Sequence, residues 1–253
     1  MVWRGVLWAD ENRALFRRGP IGAYVELGHR VVLDTPTDAE ASEHDYVIYS
    51  IAARMLLIQR RRFSLHATLV VAPSGTMIAV AGDSMAGKST SVLELVRRGW
   101  TFSCDDIAEV MAPGATAVPY ERPIHLSDQA ARMLGADPAI GRPLPGRGKR
   151  AYRLAGDLTP RPLAAVVRLS ADAEGSPAFQ RLDPVAALVL LTGLSERLGI
   201  AELQGLRADH LAWLGDLLRH VPVFQLRRPA GGDTVAQVGD LVETIAQQLA
   251  PVL

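Results

Sequence analysis

Four residues within 82–89 have the types and spacing that phosphate chemistry uses: Gly82, Gly87, Lys88 and Ser89 satisfy the pattern G-x-x-x-x-G-K-[ST]. Glycines let the backbone curl until its N–H groups point at phosphate oxygens, and a helix starting there adds its positive end. Lys88 supplies a compact ammonium on a flexible stem, which reaches β- and γ-phosphates where a planar guanidinium fork does less well. The chain has two lysines against twenty-five arginines, so an ammonium at position 88 is a specific choice. Ser89 offers a hydroxyl to Mg²⁺ bridging those phosphates. Asp83, Ser84, Met85 and Ala86 fill the loop, and Thr90 follows it. The expected cofactors are therefore ATP, or another nucleoside triphosphate, and Mg²⁺. The pattern reads phosphates and leaves the base open.

A second group stands downstream. Asp105 and Asp106 close the apolar stretch "WTFSC". Adjacent carboxylates point in different directions, so one can hold a metal while the other accepts a proton from an attacking hydroxyl. Alone, such a pair is more often a solvated turn; beside a phosphate loop it gains a use. His66 opens the hairpin that leads into the loop, where it serves either as an edge histidine or as a group that tunes a carboxylate. Cys104 reads as a small buried filler and not a nucleophile.

The elements that must position these residues can be read from pattern. "LHATLVVA", a turn at "PSG" and "TMIAVAG" predict a β-hairpin whose second strand is apolar enough to be central. Residues 88–98 predict an amphipathic helix ending on Arg97, Arg98 and Gly99, cations at the negative end and a glycine cap. If the strand entering the loop and the strand leaving the helix run parallel, Asp105 and Asp106 face the loop across one sheet edge. "IAEVMAPGATAVPY" reads as a hairpin turning at Pro113 and Gly114, and "SDQAARML" as a short helix capped by Ser127. Residues 135–150, rich in glycine and proline, read as loop. "LAAVVRLS" and "PVFQLRR" predict strands, and 184–193, 201–220 and 234–249 predict helices. Residues 1–62 form a small β-rich region followed by a helix, without catalytic signature, and 63–253 form the main domain. The fold class is α/β with a mixed β-sheet carrying a P-loop and flanked by helices.

Composition bounds the partners. Half of the residues are apolar (49%) and charges balance to zero, which excludes a broad nucleic-acid face. A single cysteine excludes an internal disulfide and suits a reducing compartment. "MVWRGVLWADENR" lacks the apolar run of a signal peptide, and no stretch approaches the roughly 20 apolar residues of a membrane span. A cytoplasmic protein without membrane or nucleic-acid partners is expected, with a homo-oligomer left open.

"HATLVV" followed by "GDSMAGKSTSVLELVRRGWTFSCDD" resembles the catalytic domain of HPr kinase/phosphorylase. "PYERPIHL" (119–126) and "LAAVVRL" look more like the shorter HPr-kinase-like proteins of lasso-peptide gene clusters, which phosphorylate a serine of a precursor peptide. The resemblance spans about residues 63–170. It implies the mixed sheet shared with phosphoenolpyruvate carboxykinase, and a kinase of serine hydroxyls with ATP, Mg²⁺ and a precursor peptide as partners. It also implies roles: Gly82, Ser84, Gly87, Lys88 and Ser89 on phosphates and metal, Asp105 as base or orienting carboxylate supported by His66, and Asp106 helping to place the metal. The glycine-rich signature that follows the acid pair in true HPr kinases is missing, and their large N-terminal domain is reduced to about sixty residues. Arg142, Arg147, Lys149 and Arg150, with Arg122 upstream, read either as a flap that grips phosphate or an acidic peptide or as a solvated basic loop. A small-molecule kinase acting on free serine, or a nucleotide-responsive regulatory module, are the alternatives.

Overall fold

The computed structural model describes residues 6–36, 44, 47–83, 86–133, 141–144, 148–153, 156–195 and 199–249. Four short strands open the chain: β1 (Val6–Ala9), β2 (Arg13–Arg18), β3 (Ile21–Glu26) and β4 (Arg30–Asp34) pair antiparallel in chain order. A π-helical segment, Val47–Ala52, runs into α1 (Ala53–Gln59). Sequence pattern finds α1 and most of this sheet but not β2, whose described side chains in "RALFRR" include just Ala14 and Phe16 as buried ones, set between charges.

The main sheet has nine strands. In chain order the elements are β5 (Ser64–Leu65), β6 (Ala67–Val71), β7 (Met77–Gly82), α2 (Lys88–Arg97), β8 (Thr101–Cys104), β9 (Ala108–Met111) and β10 (Thr116–Val118). Then come β11 (Ile124–Leu126), α3 (Asp128–Met133), β12 (Arg142–Leu144), β13 (Lys149–Tyr152), β14 (Arg161–Ser170), β15 (Ala178–Arg181) and α4 (Pro184–Ser195). The chain closes with α5 (Ile200–Leu203), α6 (Arg207–His220), β16 (Val223–Arg227) and α7 (Val235–Leu249). Sheet order is β5-β9-β10-β14-β7-β6-β8, with β16 on β14 and β15 on β16. The sheet is mixed: β14 runs parallel to β7 and β16, while β6 runs antiparallel to both β7 and β8.

Every residue of β7 is buried, as a continuous apolar run covered on both faces requires. Its alternate side chains enter different cores. Met77, Ala79 and Ala81 join one cluster with the N-terminal sheet, α1, α4 and α6; Ile78 and Val80 join the other with α2 and α7. The N-terminal strands thus contribute Phe16 and Val25 to the same core as Leu65 and Leu69.

Two readings from sequence need correction. Residues 142–144 and 149–150, expected as loop, lie in strands β12 and β13, which join β11 in a third sheet of three strands. Pro143 fits because β12 is its edge, where a missing N–H breaks no ladder. The helix expected over 201–220 is two, α5 and α6, separated by Gly205 at φ 71°. Polar β15 escaped the apolar pattern altogether. Among the described residues no helix is long and apolar enough to cross a membrane.

Candidate active site

β6 lies between β7 and β8 and runs against both, so the latter two point the same way and end on one edge with β14 and β16. At that edge the chain leaves β7 through Gly82, where a Cβ would stand 2.8 Å from Leu169 O of the neighbouring strand; only glycine permits the approach. Gly87, at φ 95°, turns the chain into α2, whose first residues are Lys88, Ser89 and Thr90. Ala86 N donates to Asp83 O at 3.1 Å, closing the described part of the loop. Two arginines that sequence pattern does not single out brace it: Arg168 Nη2 donates to Asp83 Oδ2 (2.8 Å), and Arg228 Nε donates to Ala86 O (3.0 Å). Ser84 and Met85 lie outside the described residues.

Lys88 crosses from the head of α2 to the acid pair, with Nζ 3.5 Å from Asp105 Oδ1. The same oxygen accepts the Thr68 hydroxyl at 2.5 Å. Burial pushes the Asp105 carboxyl up, but the Lys88 ammonium and the Thr68 hydroxyl outweigh it and hold the group below its ordinary range.

Asp106 has different company. Its backbone is left-handed (φ 72°), which directs its side chain away from that of Asp105. Ser50 Oγ donates to Oδ2 at 2.9 Å and Arg122 Nη2 to the same atom at 3.2 Å. Arg54 Nη2 donates to the Asp106 carbonyl (2.6 Å) and lies 3.3 Å from Oδ1; His66 Nδ1 lies 2.5 Å from Oδ1. Burial again works to raise this carboxyl, yet Arg54, then His66 and Arg122, hold it well below the usual range. Burial also lowers His66, against the pull of Asp106, so its neutral form is favoured. The expectation that His66 supports Asp105 is corrected: it sits on Asp106, because the left-handed turn swings that carboxylate toward β6 and α1.

The chain offers limited metal ligation here. Among the described residues no three His, Cys, Asp or Glu side chains gather as a metal cluster. Ser89, half-buried at the head of α2, suits Mg²⁺, which commonly keeps water and phosphate oxygens as most of its ligands. Asp106 does not suit it: both carboxylate oxygens already accept donors, and two guanidinium groups stand against a further cation.

Of the basic residues, Arg122 lies in the Asp106 cage, while Arg150 on β13 pairs with Asp128 (3.1 Å) and donates to Gly141 O. Arg142 stands exposed on β12, Lys149 half-buried on β13, and Arg147 lies outside the described residues. The Cys104 thiol is fully buried and pushed up to about 12 by burial, which suits a filler. Besides Thr68, Arg168 and Arg228, sequence reading missed the site residues Ser50 and Arg54. The latter two come from the helical segment of the N-terminal region and belong to no motif.

No protein-family model matches the chain, and no curated protein matches it. Among solved structures it is similar to the Hpr(Ser) kinase/phosphatase from Coxiella burnetii, at 12% identity and a TM-score of 0.39, covering 73% of this chain and 91% of that one. So distant a superposition leaves the reading of the site to its own residues.

Proposed function

We propose that the protein is an ATP- and Mg²⁺-dependent kinase that transfers the terminal phosphoryl group to a serine hydroxyl of a ribosomally made precursor peptide. The observation that carries the reading is Lys88, at the head of the helix after a G-x-x-x-x-G-K-S loop, within 3.5 Å of the buried carboxylate Asp105 on the same sheet edge. Support for the peptide acceptor comes from the motifs at 119–126 and 163–169.

In this reading the loop amides, Lys88 and the start of α2 hold the triphosphate, and Ser89 is the chain's ligand to Mg²⁺, which offsets phosphate charge when bound. The serine Oγ forms a bond to the γ-phosphorus as the bond from that phosphorus to the β–γ bridging oxygen breaks. Asp105 takes the hydroxyl proton; a carboxylate held ionised is ready to accept it. Asp106, bound by Ser50, Arg54, His66 and Arg122, is a positioning residue. The β12–β13 hairpin, which joins β11 just beyond Arg122, is the proposed peptide-facing side.

The test is incubation with ATP, Mg²⁺ and the precursor peptide encoded beside the gene. A mass gain of about 80 daltons on a serine, the covalent addition of one phosphate, is expected. Asp105→Asn is expected to abolish the gain and retain nucleotide binding. Wild-type transfer by Asp105→Asn would refute the assigned base. ATP bound without any peptide gain would replace the peptide by a small-molecule acceptor or a regulatory role.

A further inference from the structure

β8 carries an irregularity that decides where Asp105 faces. Its pairing with β6 runs Val71 with Thr101, Val70 with Phe102 and then Leu69 with Cys104, so Ser103 is an extra residue, a β-bulge on the outer strand of the sheet. Side chains along a strand alternate faces, and one inserted residue exchanges the faces of those that follow. Phe102 joins the core under α2 with Val70 and Val80, whereas Cys104 joins the opposite core with Leu69. Under regular alternation from Phe102, Cys104 would face α2 and Asp105 would turn away from it. The bulge reverses this and brings Asp105 to the face where α2 begins, within reach of Lys88. The insertion is held from outside. Ser103 Oγ donates to Asp157 O, Asp157 N donates to Phe102 O at 3.0 Å, and a Cβ on Gly156 would stand 2.9 Å from Ser103 O.

One step further along the bulged register, Thr68 stands opposite Asp105. Opposed residues of an antiparallel pair share a face, and the Thr68 hydroxyl donates to Asp105 Oδ1 at 2.5 Å. Thr68 is 2% exposed and β-branched, so packing and a stiff χ1 set the direction of its hydroxyl. Lys88 Nζ meets the same oxygen. No described residue donates to Oδ2, and 10% of the Asp105 side chain stays open to solvent.

The two donors on Oδ1 are not equivalent. Lys88 is shared with the phosphates the loop is built to hold, and an ammonium drawn to them leaves the carboxylate. Thr68, fixed in the middle of the sheet, keeps its donor on Asp105. We infer that Thr68 is a positioning residue for the transfer: it occupies Oδ1 and fixes the carboxylate, so that Oδ2 is the oxygen that takes the proton. The acceptor hydroxyl passes that proton to Oδ2 as its oxygen bonds to the γ-phosphorus, and the bridging oxygen leaves with the diphosphate. The inference rests on Asp105 as the base of the kinase reading above, and adds which of its oxygens acts and what holds it there.

Single-turnover transfer from Mg-ATP to the precursor peptide, beside calorimetric titration with Mg-ATP, tests it on the full chain. Thr68→Val keeps the shape and removes the hydroxyl; Thr68→Ser keeps the hydroxyl. Thr68→Val is expected to slow transfer about 10- to 100-fold, the scale of a displaced reacting group, and to leave Mg-ATP affinity within about twofold. Thr68→Ser is expected to stay within about threefold of wild type in both. Should Thr68→Val lose its fold, as read by circular dichroism, Thr68→Ala carries the test. Transfer at the wild-type rate without the hydroxyl, a loss in Thr68→Ser as large as in Thr68→Val, or a parallel loss of Mg-ATP affinity overturns the positioning role and leaves the kinase standing. No transfer by wild type overturns the kinase reading and the role of Thr68 with it.

Discussion

Asp105 and Asp106 are chemically identical neighbours set in opposed environments. One meets Lys88 and Thr68; the other is enclosed by Arg54, Arg122, Ser50 and His66. Spacing alone makes the loop, the pair and His66 legible, because those residues lie within one β-hairpin, helix and strand. It cannot show which acid the histidine serves, since one left-handed residue decides that, nor Ser50 and Arg54, which arrive only through tertiary packing. Arg54→Met is expected to lower transfer on the order of 10²-fold by freeing the pair to shift, with nucleotide affinity nearly unchanged. Single-turnover kinetics beside a binding titration would separate the two. His66 also gives stability a pH dependence. Its folded pKa lies below the ordinary 6.5, so as pH falls the unfolded chain binds the proton first; the contribution is full above about 6.5 and is lost as pH falls through the folded value. His210, lowered by burial, acts in the same direction. The thermal midpoint is therefore expected to drop between about pH 7.5 and 5.5, before the ordinary carboxylate range near 4 is reached, and His66→Asn should reduce that slope.

Elements transmit what the residues need. The end of α2 was readable from Arg97, Arg98 and Gly99, but dipole and cap are only part of their work. Arg98 donates to Glu94 (2.7 Å), to Asp240 (2.6 Å) and Glu243 (3.0 Å) of α7, and to Ala236 O (2.8 Å). Hydrogen bonds from Arg97 and then Arg98 bring the Glu94 carboxyl down to about 2. Gly239 permits the approach: a Cβ there would stand 2.8 Å from the Arg98 guanidinium. Because α2 begins at Lys88, this clamp fixes the axis that aims the ammonium at Asp105. Arg98→Ala leaves the buried Glu94 to Arg97 alone and is expected to cost about 1–3 kcal/mol in urea unfolding. Lysine at 98 should recover only part of it, having no planar fork to share among three carboxylates. Three of the strands that sequence missed share a cause. β12, β13 and β15 are edge or satellite strands whose pairing depends on a partner already in place, so composition rich in glycine, proline or polar residues does not prevent them.

At the scale of the molecule, the small N-terminal sheet and the larger sheet share one interior. Phe16 and Val25 from the first, Ile51 and Met55 from the helical segment, and Leu65, Leu69, Ala79 and Leu214 beyond it belong to a single buried cluster. Trp213 anchors its far side by donating Nε1 to Val110 O at 2.7 Å while packing on Phe63. The helical segment that completes this core also carries Ser50 and Arg54 into the Asp106 cage, so core and site depend on the same contacts. We therefore expect one cooperative unfolding transition for the whole chain, with far-ultraviolet dichroism and tryptophan fluorescence changing together in urea. A fragment of residues 63–253 is expected to bind a hydrophobic dye and lack near-ultraviolet dichroism, as a chain does when it keeps secondary structure without fixed packing. It would expose the underside of β6 and β7 and leave the Asp106 carboxylate without two of its donors, a cost added to the lost apolar burial. If instead that fragment unfolds cooperatively and binds Mg-ATP like the full chain, the N-terminal sheet is an appendage, and Arg54 has no part in holding the acid pair.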